Sequence, residues 1–327
     1  MFDSPGRHCA RRVLLQPCWL PRQCEPSEAS LISHSSDPMT RRLLPWSLSL
    51  ILVVLPGCGP SAEKADRPAV LKMLVLPDRP RREVEATYAP LVHYLSRKLD
   101  LPCELVIPDS YERAVELFHR REVQLANLGG VVFVRARAKD HALPLVMRDA
   151  DLAFSSSFIA RPGAPGDDIG RFRGRPFAFG PKLSTSGHLM PRHFLAQQNI
   201  VPEKFFSSVR YSDNHDTTAA WVRDGVVDLG VVNSLYLIQM YRSGLLRRNA
   251  VRVLWETPTY PDYVWVAQPD LPARFRTQVR DAFLDLSTNE PGNAAVLVAL
   301  QARAFMPAIE SDFTSLERVA ADSGLLE

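Results

Sequence analysis

Between Val70 and residue 140 the apolar positions switch repeatedly between two spacings. "VLKMLVLP" (70–77) is a nearly unbroken apolar run and predicts a buried strand. "REVEATYAPLVHYLSRKL" (82–99) places Tyr88, Leu91, Val92, Leu95 and Leu99 at helical spacing, and "PCELVIP" (102–108) predicts a second strand. "SYERAVELFHRR" then reads as a helix capped by Ser110, "VQLANLG" as a strand and "VVFVRARAK" as a helix. This βαβαβα order predicts a mainly parallel sheet with helices on both faces.

A second alternating series follows. "FSSSFIAR" (154–161) and "PFAFG" (176–180) predict strands, 186–198 a helix, "FFSSVRY" a strand, "TTAAWVRDG" a helix, "VDLGVV" a buried strand, and "SLYLIQMYRSG" a helix ended by Gly244. "VRVLWET" and "DYVWVAQP" return as strands before helices at 272–288, 291–303 and 312–323. The economical reading is two α/β units with the chain going out once and back once. Lobe 1 would comprise 70–155 and 257–327 and lobe 2 156–256, with apolar strands near 154–161 and 251–257 as the crossovers. In such sheets ligands bind at the carboxyl ends of strands, where helix N-termini point. Three strand-to-helix corners carry polar or glycine residues: Asp109-Ser110-Tyr111, Gly129-Gly130 and Ser184-Thr185-Ser186-Gly187. Facing each other across a cleft, they predict a binding-protein geometry.

Composition adds an address. The chain has 327 residues, too many for one ordinary domain, with 46% hydrophobic and 23% charged positions. Its formal charge of +3 is small and its arginines are scattered, so nucleic acid is not an expected partner. From Met39 the sequence reads "MTRRLLPWSLSLILVVLPGCG": Arg41 and Arg42 precede an apolar stretch from Leu43 to Leu55, and Gly57-Cys58 closes it. That is the layout of a secretory signal (39–57), too short for a confident membrane span. "LPGC" resembles the lipobox of bacterial lipoproteins, which makes Cys58 the expected lipidated first residue of the mature chain, although Pro56 departs from the small residue usual there. Residues 1–38, with Cys9, Cys18 and Cys24, precede this signal and are expected to be a mis-assigned gene start. Residues 58–69, small, polar and proline-bearing, read as a tether. Only Cys58 and Cys103 then remain, so no disulfide framework is expected.

The chemistry concentrates in "STSGHLMP". The first N–H groups of a helix lack intrahelical acceptors and carry partial positive charge, which suits an anion with several oxygens. Ser184, Thr185 and Ser186 add hydroxyls, Gly187 permits close backbone approach, and Pro191 fits a first helical turn. Taken alone the motif reads first as a capped helix that binds nothing, because one cap is common and the S-T-S-G string is short.

"STSGHLMPRHFL", with "SYERAVELFHRREVQLANLGG" before it and "NHDTTAAWVRDGVVDLGVVNS" after it, resembles the periplasmic phosphate/phosphite/phosphonate-binding proteins of ABC transporters. The resemblance extends through "TPTYPDYVWVAQPDLP" (257–272) and "FMPAIESDFTSLERVA". It implies a two-lobed α/β periplasmic-binding-protein architecture of type II-like form, two mainly parallel sheets joined by two hinge strands, closing over a tetrahedral oxyanion. Carried over, Ser184, Thr185, Ser186 and Gly187 hold the oxygens, Tyr111 donates a phenol, and His215 contacts the ligand. His188 and His193, five apart, read as structural. Two positions depart from the pattern. Phe154 stands where a second site tyrosine is usual, with Ser155 to Ser157 as candidate substitutes. Asn233 stands where phosphonate binders commonly carry an Asp that pairs with a ligand amine, which disfavours a cationic aminoalkylphosphonate.

The resulting expectation is a lipid-anchored receptor that delivers an oxyanion to an ABC permease and ATPase. A ligand-sensing partner of a membrane signalling protein, or an enzyme on the same fold, are the alternatives. Against an enzyme, the sequence has no Cys/His metal spacing, no Gly-x-Ser-x-Gly elbow, no Walker-type loop and no motif pairing two acids, so neither metal nor cofactor is expected.

Overall fold

The computed structural model describes residues 67–326. The upstream segment, the signal, Cys58 and the tether up to residue 66 lie outside the described residues.

The first six elements are β1 (Leu71–Val75), α1 (Arg81–Leu99), β2 (Cys103–Val106), α2 (Tyr111–His119), β3 (Leu125–Leu128) and α3 (Gly130–Asp140). β1 buries every residue but Lys72, and α1 turns Val84, Tyr88, Leu91, Tyr94, Leu95 and Leu99 inward at helical spacing. The next strands are β4 (Leu143–Arg148), β5 (Ser156–Ala160) and β6 (Pro176–Phe179). Then come α4 (Met190–Gln197), α5 (Pro202–Phe205), β7 (Ser208–Tyr211), α6 (His215–Arg223), β8 (Leu229–Asn233) and α7 (Ser234–Ser243). β9 (Arg252–Glu256), β10 (Val264–Ala267), α8 (Ala273–Leu284), α9 (Pro291–Ala299), β11 (Phe305–Pro307) and α10 (Thr314–Asp322) complete the chain.

Two sheets result, one in each lobe, ordered β11-β4-β10-β3-β1-β2 and β7-β6-β8-β5-β9. Both are mixed. The pairs β1–β2, β1–β3, β6–β7 and β6–β8 are parallel, as helix-connected strands must be. Antiparallel pairs arise where the chain arrives from the other lobe and where β11 closes the edge of the first sheet against β4. β10, returning through the hinge, inserts between β3 and β4 against the direction of both. β5 and β9, on the outgoing and returning chain, pair antiparallel within the second sheet. The strands β4 and β11 have no counterpart in the periodicity reading, because β4 is only partly buried and β11 is three residues long.

The two connections run side by side. Phe154 and Tyr260 exchange backbone hydrogen bonds of 2.9 and 3.0 Å, and the Thr257 N–H donates to the Ser156 carbonyl at 3.0 Å. One buried apolar cluster crosses between the lobes: Leu189, Met190 and Phe194 from the second pack with Tyr111, Phe133 and Phe313 of the first. The described conformation is therefore closed.

Candidate functional site

The helix predicted from residue 186 begins differently. Thr185–Leu189 forms a π-helical turn that leads into α4, with Pro191 in the first turn of that helix. Such turns widen the helix by one residue and recur at functional sites. Ser184 caps it, its Oγ accepting from the Gly187 N–H at 2.9 Å. The Gly180 N–H donates to the Gly187 carbonyl at 2.8 Å, which draws the turn against the end of β6. A Cβ on Gly187 would stand 3.0 Å from the Gly180 Cα and 3.1 Å from the His215 Cε1, so this closeness requires glycine.

Two further helix starts, at Tyr111 and His215, present their residue behind a side-chain cap. Ser110 accepts from the Arg113 N–H at 3.1 Å and places Tyr111 as the first residue of α2. Asn214 accepts from the Thr217 N–H at 2.9 Å and places His215 as the first residue of α6. The third corner, Gly129-Gly130, is filled by the protein's own oxygens. The Val131 N–H donates to Thr185 Oγ1 at 3.1 Å across the cleft, and the Gly130 N–H donates to Asp262 Oδ1 at 3.0 Å. That corner joins the lobes and leaves no free N–H in its first two residues.

Four buried polar atoms around these corners have no hydrogen-bond partner: Tyr111 Oη, Ser186 Oγ, His215 Nε2 and Asp262 Oδ2. Buried polar groups are normally satisfied, so these four are the polar atoms at the corners that keep bonding capacity for something other than the protein's own groups. Their protonation is legible. Burial holds Tyr111 well above the usual phenol range, so it remains a donor. Burial pushes His215 down to about 4, so its ring is neutral. Its Nδ1 accepts from the Asn233 N–H at 3.4 Å, which leaves the proton on Nε2. Burial pushes Asp262 up to about 7, against the Gly130 N–H and the Thr185 and Ser186 hydroxyls; the Ser186 hydroxyl lies near enough to favour the charged form but makes no formed hydrogen bond to Asp262 Oδ2. The set is three neutral donors and one carboxyl that can either donate or accept.

The remaining sequence-derived positions fall as follows. Asn233 is buried and its Oδ1 caps α7, accepting from the Tyr236 N–H at 2.8 Å. Phe154 is buried against Tyr260 and Tyr263, at ring separations of 6.3 and 5.8 Å. The serines beside it are committed elsewhere: Ser155 and Ser157 bond Ser234 at 3.0 and 2.8 Å, and Ser156 donates to the Ser186 carbonyl at 2.7 Å while pairing with the Tyr260 hydroxyl. Of the three, Ser156 alone braces the hydroxyl turn, while Ser155 and Ser157 tie to the start of α7. His188 is held between Lys182 and Arg192, with the Lys182 carbonyl 2.7 Å from its Nδ1 and Arg192 Nε donating to its Nε2 at 3.0 Å.

Sequence reasoning missed Asp78, Tyr263 and Asp262. Asp78 follows β1, pairs with Arg79 at 3.0 Å, accepts from the Tyr263 hydroxyl at 2.8 Å, and its carbonyl accepts from the His215 N–H at 3.3 Å. Its position beyond a parallel strand's carboxyl end was the available signal. Asp262 and Tyr263 lie on the returning chain, where no spacing rule points to them.

Residues 73–313 match the model of the family described as ABC transporter, phosphonate, periplasmic substrate-binding protein. A probable ABC transporter phosphite-binding protein, PhnD1 of Prochlorococcus marinus, is 28% identical over 77% of this chain and 89% of its own length. The phosphate-import protein PhnD of Mycolicibacterium smegmatis is 23% identical over 79% of this chain and 87% of its own. Among solved structures, PhnD1 of Prochlorococcus marinus in complex with methylphosphonate superposes with a TM-score of 0.75 at 27% identity, over 79% of this chain and all of that one. A binding-protein component of an ABC phosphonate transporter from Pseudomonas aeruginosa shares the fold, with a TM-score of 0.72 at 18% identity, over 79% of this chain and 87% of its own.

Proposed function

Because the chain belongs to the phosphonate-binding periplasmic family of ABC-transporter substrate-binding proteins, we propose that it captures a small phosphorus oxyanion and delivers it to an ABC permease and its ATPase. The family consists of binding proteins rather than enzymes. The observation that carries the oxyanion reading is the convergence of unpartnered Tyr111 Oη from one lobe with Ser186 Oγ and His215 Nε2 from the other. An anion placed among them satisfies donors of both lobes at once, so binding and closure are one event. The Ser184 hydroxyl accepts from Gly187 and keeps its own proton for the ligand. Thr185 serves mainly by holding the Val131 N–H across the cleft.

Asp262 narrows the class. A carboxyl beside an oxyanion is tolerated only if the two share a proton. Phosphite, phosphate and simple alkylphosphonates can supply it as a P–OH near neutral pH even when Asp262 is ionised; sulfate and sulfonates fit only while Asp262 itself is protonated, which favours the phosphorus anions at and above neutral pH. Asn233 places an amide where a carboxylate would be needed to hold an ammonium tail, which favours ligands without an amine. Export through the 39–57 signal and lipidation at Cys58 belong to the same reading and put the receptor at the outer face of a membrane. The test is calorimetry of the mature domain against phosphite, phosphate, methylphosphonate, 2-aminoethylphosphonate, sulfate and methanesulfonate. At and above neutral pH, binding confined to phosphorus anions is expected; no binding by any of them overturns the proposal.

A further inference from the structure

A second set of polar groups spans the cleft outside the anion site. Glu83 lies in the first turn of α1, in the first lobe, while Asp216 and Tyr236 lie in the first turns of α6 and α7, in the second. The Tyr236 hydroxyl donates to Glu83 Oε2 at 2.8 Å. Arg79, from the first lobe, sits over the Tyr236 ring at 5.3 Å and reaches Gln239 of α7 at 3.4 Å. Asp216 completes the group, and its buried Oδ1 has no partner.

The hydrogen count is decisive. Tyr236 has one proton and gives it to Glu83, so a bond between its oxygen and the neighbouring Asp216 requires the proton to come from Asp216. Asp216 has no proton to give while it is a carboxylate. Protonated, it donates to the Tyr236 oxygen and completes the chain Asp216 O–H to Tyr236 O–H to the Glu83 carboxylate. We propose that these three residues form a proton-dependent clasp, in which lobe closure takes up one proton at Asp216. The groups facing Asp216 fit this. Burial pushes it up to about 6, and Glu83 and Asp78 add to the rise; Arg79 opposes it, and so would the Tyr236 proton were it turned from Glu83 to Asp216. The neighbouring His215 is pushed the other way, down to about 4, by burial.

The sign follows from linkage. Opening exposes Asp216 to water and returns it to an ordinary carboxylate, so the closed state binds the extra proton and gains stability as pH falls below about 6. The gain reaches about tenfold at pH 5.

The ligand part of the test rests on the oxyanion reading and uses methylphosphonate. Wild type and Asp216→Asn are titrated from pH 7.5 to 5; the amide donates to Tyr236 at every pH, and the ratio of the two Kd values cancels ionisation of the ligand and of His215. Asp216→Asn is expected to bind about tenfold more tightly relative to wild type at pH 7.5 than at pH 5. Thermal unfolding of both proteins without ligand reads the clasp independently: the Tm advantage of the variant should shrink over the same range. A Kd ratio that does not change with pH overturns the clasp. A narrowing gap without methylphosphonate binding supports the clasp and overturns only the oxyanion reading.

Discussion

Val131 and Thr185 lie 54 positions apart and in different lobes, yet the amide of the first ends on the hydroxyl of the second at 3.1 Å. The bond exists only while the lobes are shut. It ties the central hydroxyl of the S-T-S string to closure, and under the proposed oxyanion reading Ser184 and Ser186 are the hydroxyls left for a ligand.

Replacing Thr185 with Ala removes that acceptor and strands a buried amide in the closed state, while the open state lets water satisfy it. An unsatisfied buried donor costs about 1–3 kcal/mol, so methylphosphonate affinity should fall roughly 5- to 150-fold. Thr185→Ser should restore most of it. Calorimetry of the three proteins checks this; equal affinities would show that the contact contributes nothing to binding.

The reach of the sequence can be judged from the same residues. Ser184 and Ser186 stood out because a hydroxyl string at a strand-to-helix corner is contained in a few adjacent positions, whereas Tyr111 and His215 entered as ligand contacts only through the family resemblance; the structure sets both at capped helix starts. Asp262 was not legible, since it meets Gly130 across 132 residues and depends on β10 inserting between β3 and β4. The π-helical turn was equally hidden: its composition suits an ordinary helix, and its width follows from the Gly180–Gly187 contact. The alternation of elements foretold two α/β units, but the antiparallel strands come from the route of the chain through the hinge, which periodicity does not record.

Gly187→Ala tests the close approach. Its Cβ would meet the Gly180 Cα at 3.0 Å and the His215 ring at 3.1 Å, and the backbone cannot yield without tilting the turn. Overpacking of this kind costs about 1–3 kcal/mol. A lower Tm and at least tenfold weaker methylphosphonate binding are expected, with unfolding and calorimetry as the readouts.

His215 should give the protein an acid-side liability. Its folded value is pushed down to about 4 by burial, below the ordinary 6.5, so the unfolded chain takes up the proton first and stability is lost as pH falls from about 6.5 towards 4. His215→Gln keeps an N–H donor and cannot titrate. The Tm of the wild type should therefore fall more steeply than that of the variant across this range; parallel curves would contradict the neutral ring.

Asn233→Asp asks whether the amide sets ligand charge. An aspartate can still accept from the Tyr236 N–H, which is held at 2.8 Å, so the cap survives and only the charge changes. Binding of methylphosphonate should weaken through repulsion, and 2-aminoethylphosphonate should gain on it by about tenfold. Competition between the two ligands measures the ratio, and an unchanged ratio would remove Asn233 from the specificity account.

Asp262→Asn separates recognition of a proton from recognition of charge. The amide oxygen can keep the bond from the Gly130 N–H, and the new NH2 faces the anion where Asp262 Oδ2 has no partner. The wild-type carboxyl, pushed up to about 7 by burial, accepts a P–OH when ionised and repels an anion that lacks one. With Asn, that repulsion is replaced by a donor. Sulfate should then bind measurably, and the preference for methylphosphonate over sulfate should shrink by at least tenfold, equivalent to about 1.4 kcal/mol. The pH profile should move with it: wild-type affinity for methylphosphonate declines as pH rises past about 7 and the last shared proton leaves, whereas the variant declines less. If Asp262→Asn leaves both the selectivity and the profile unchanged, the carboxyl only caps α3 and the proton is read elsewhere.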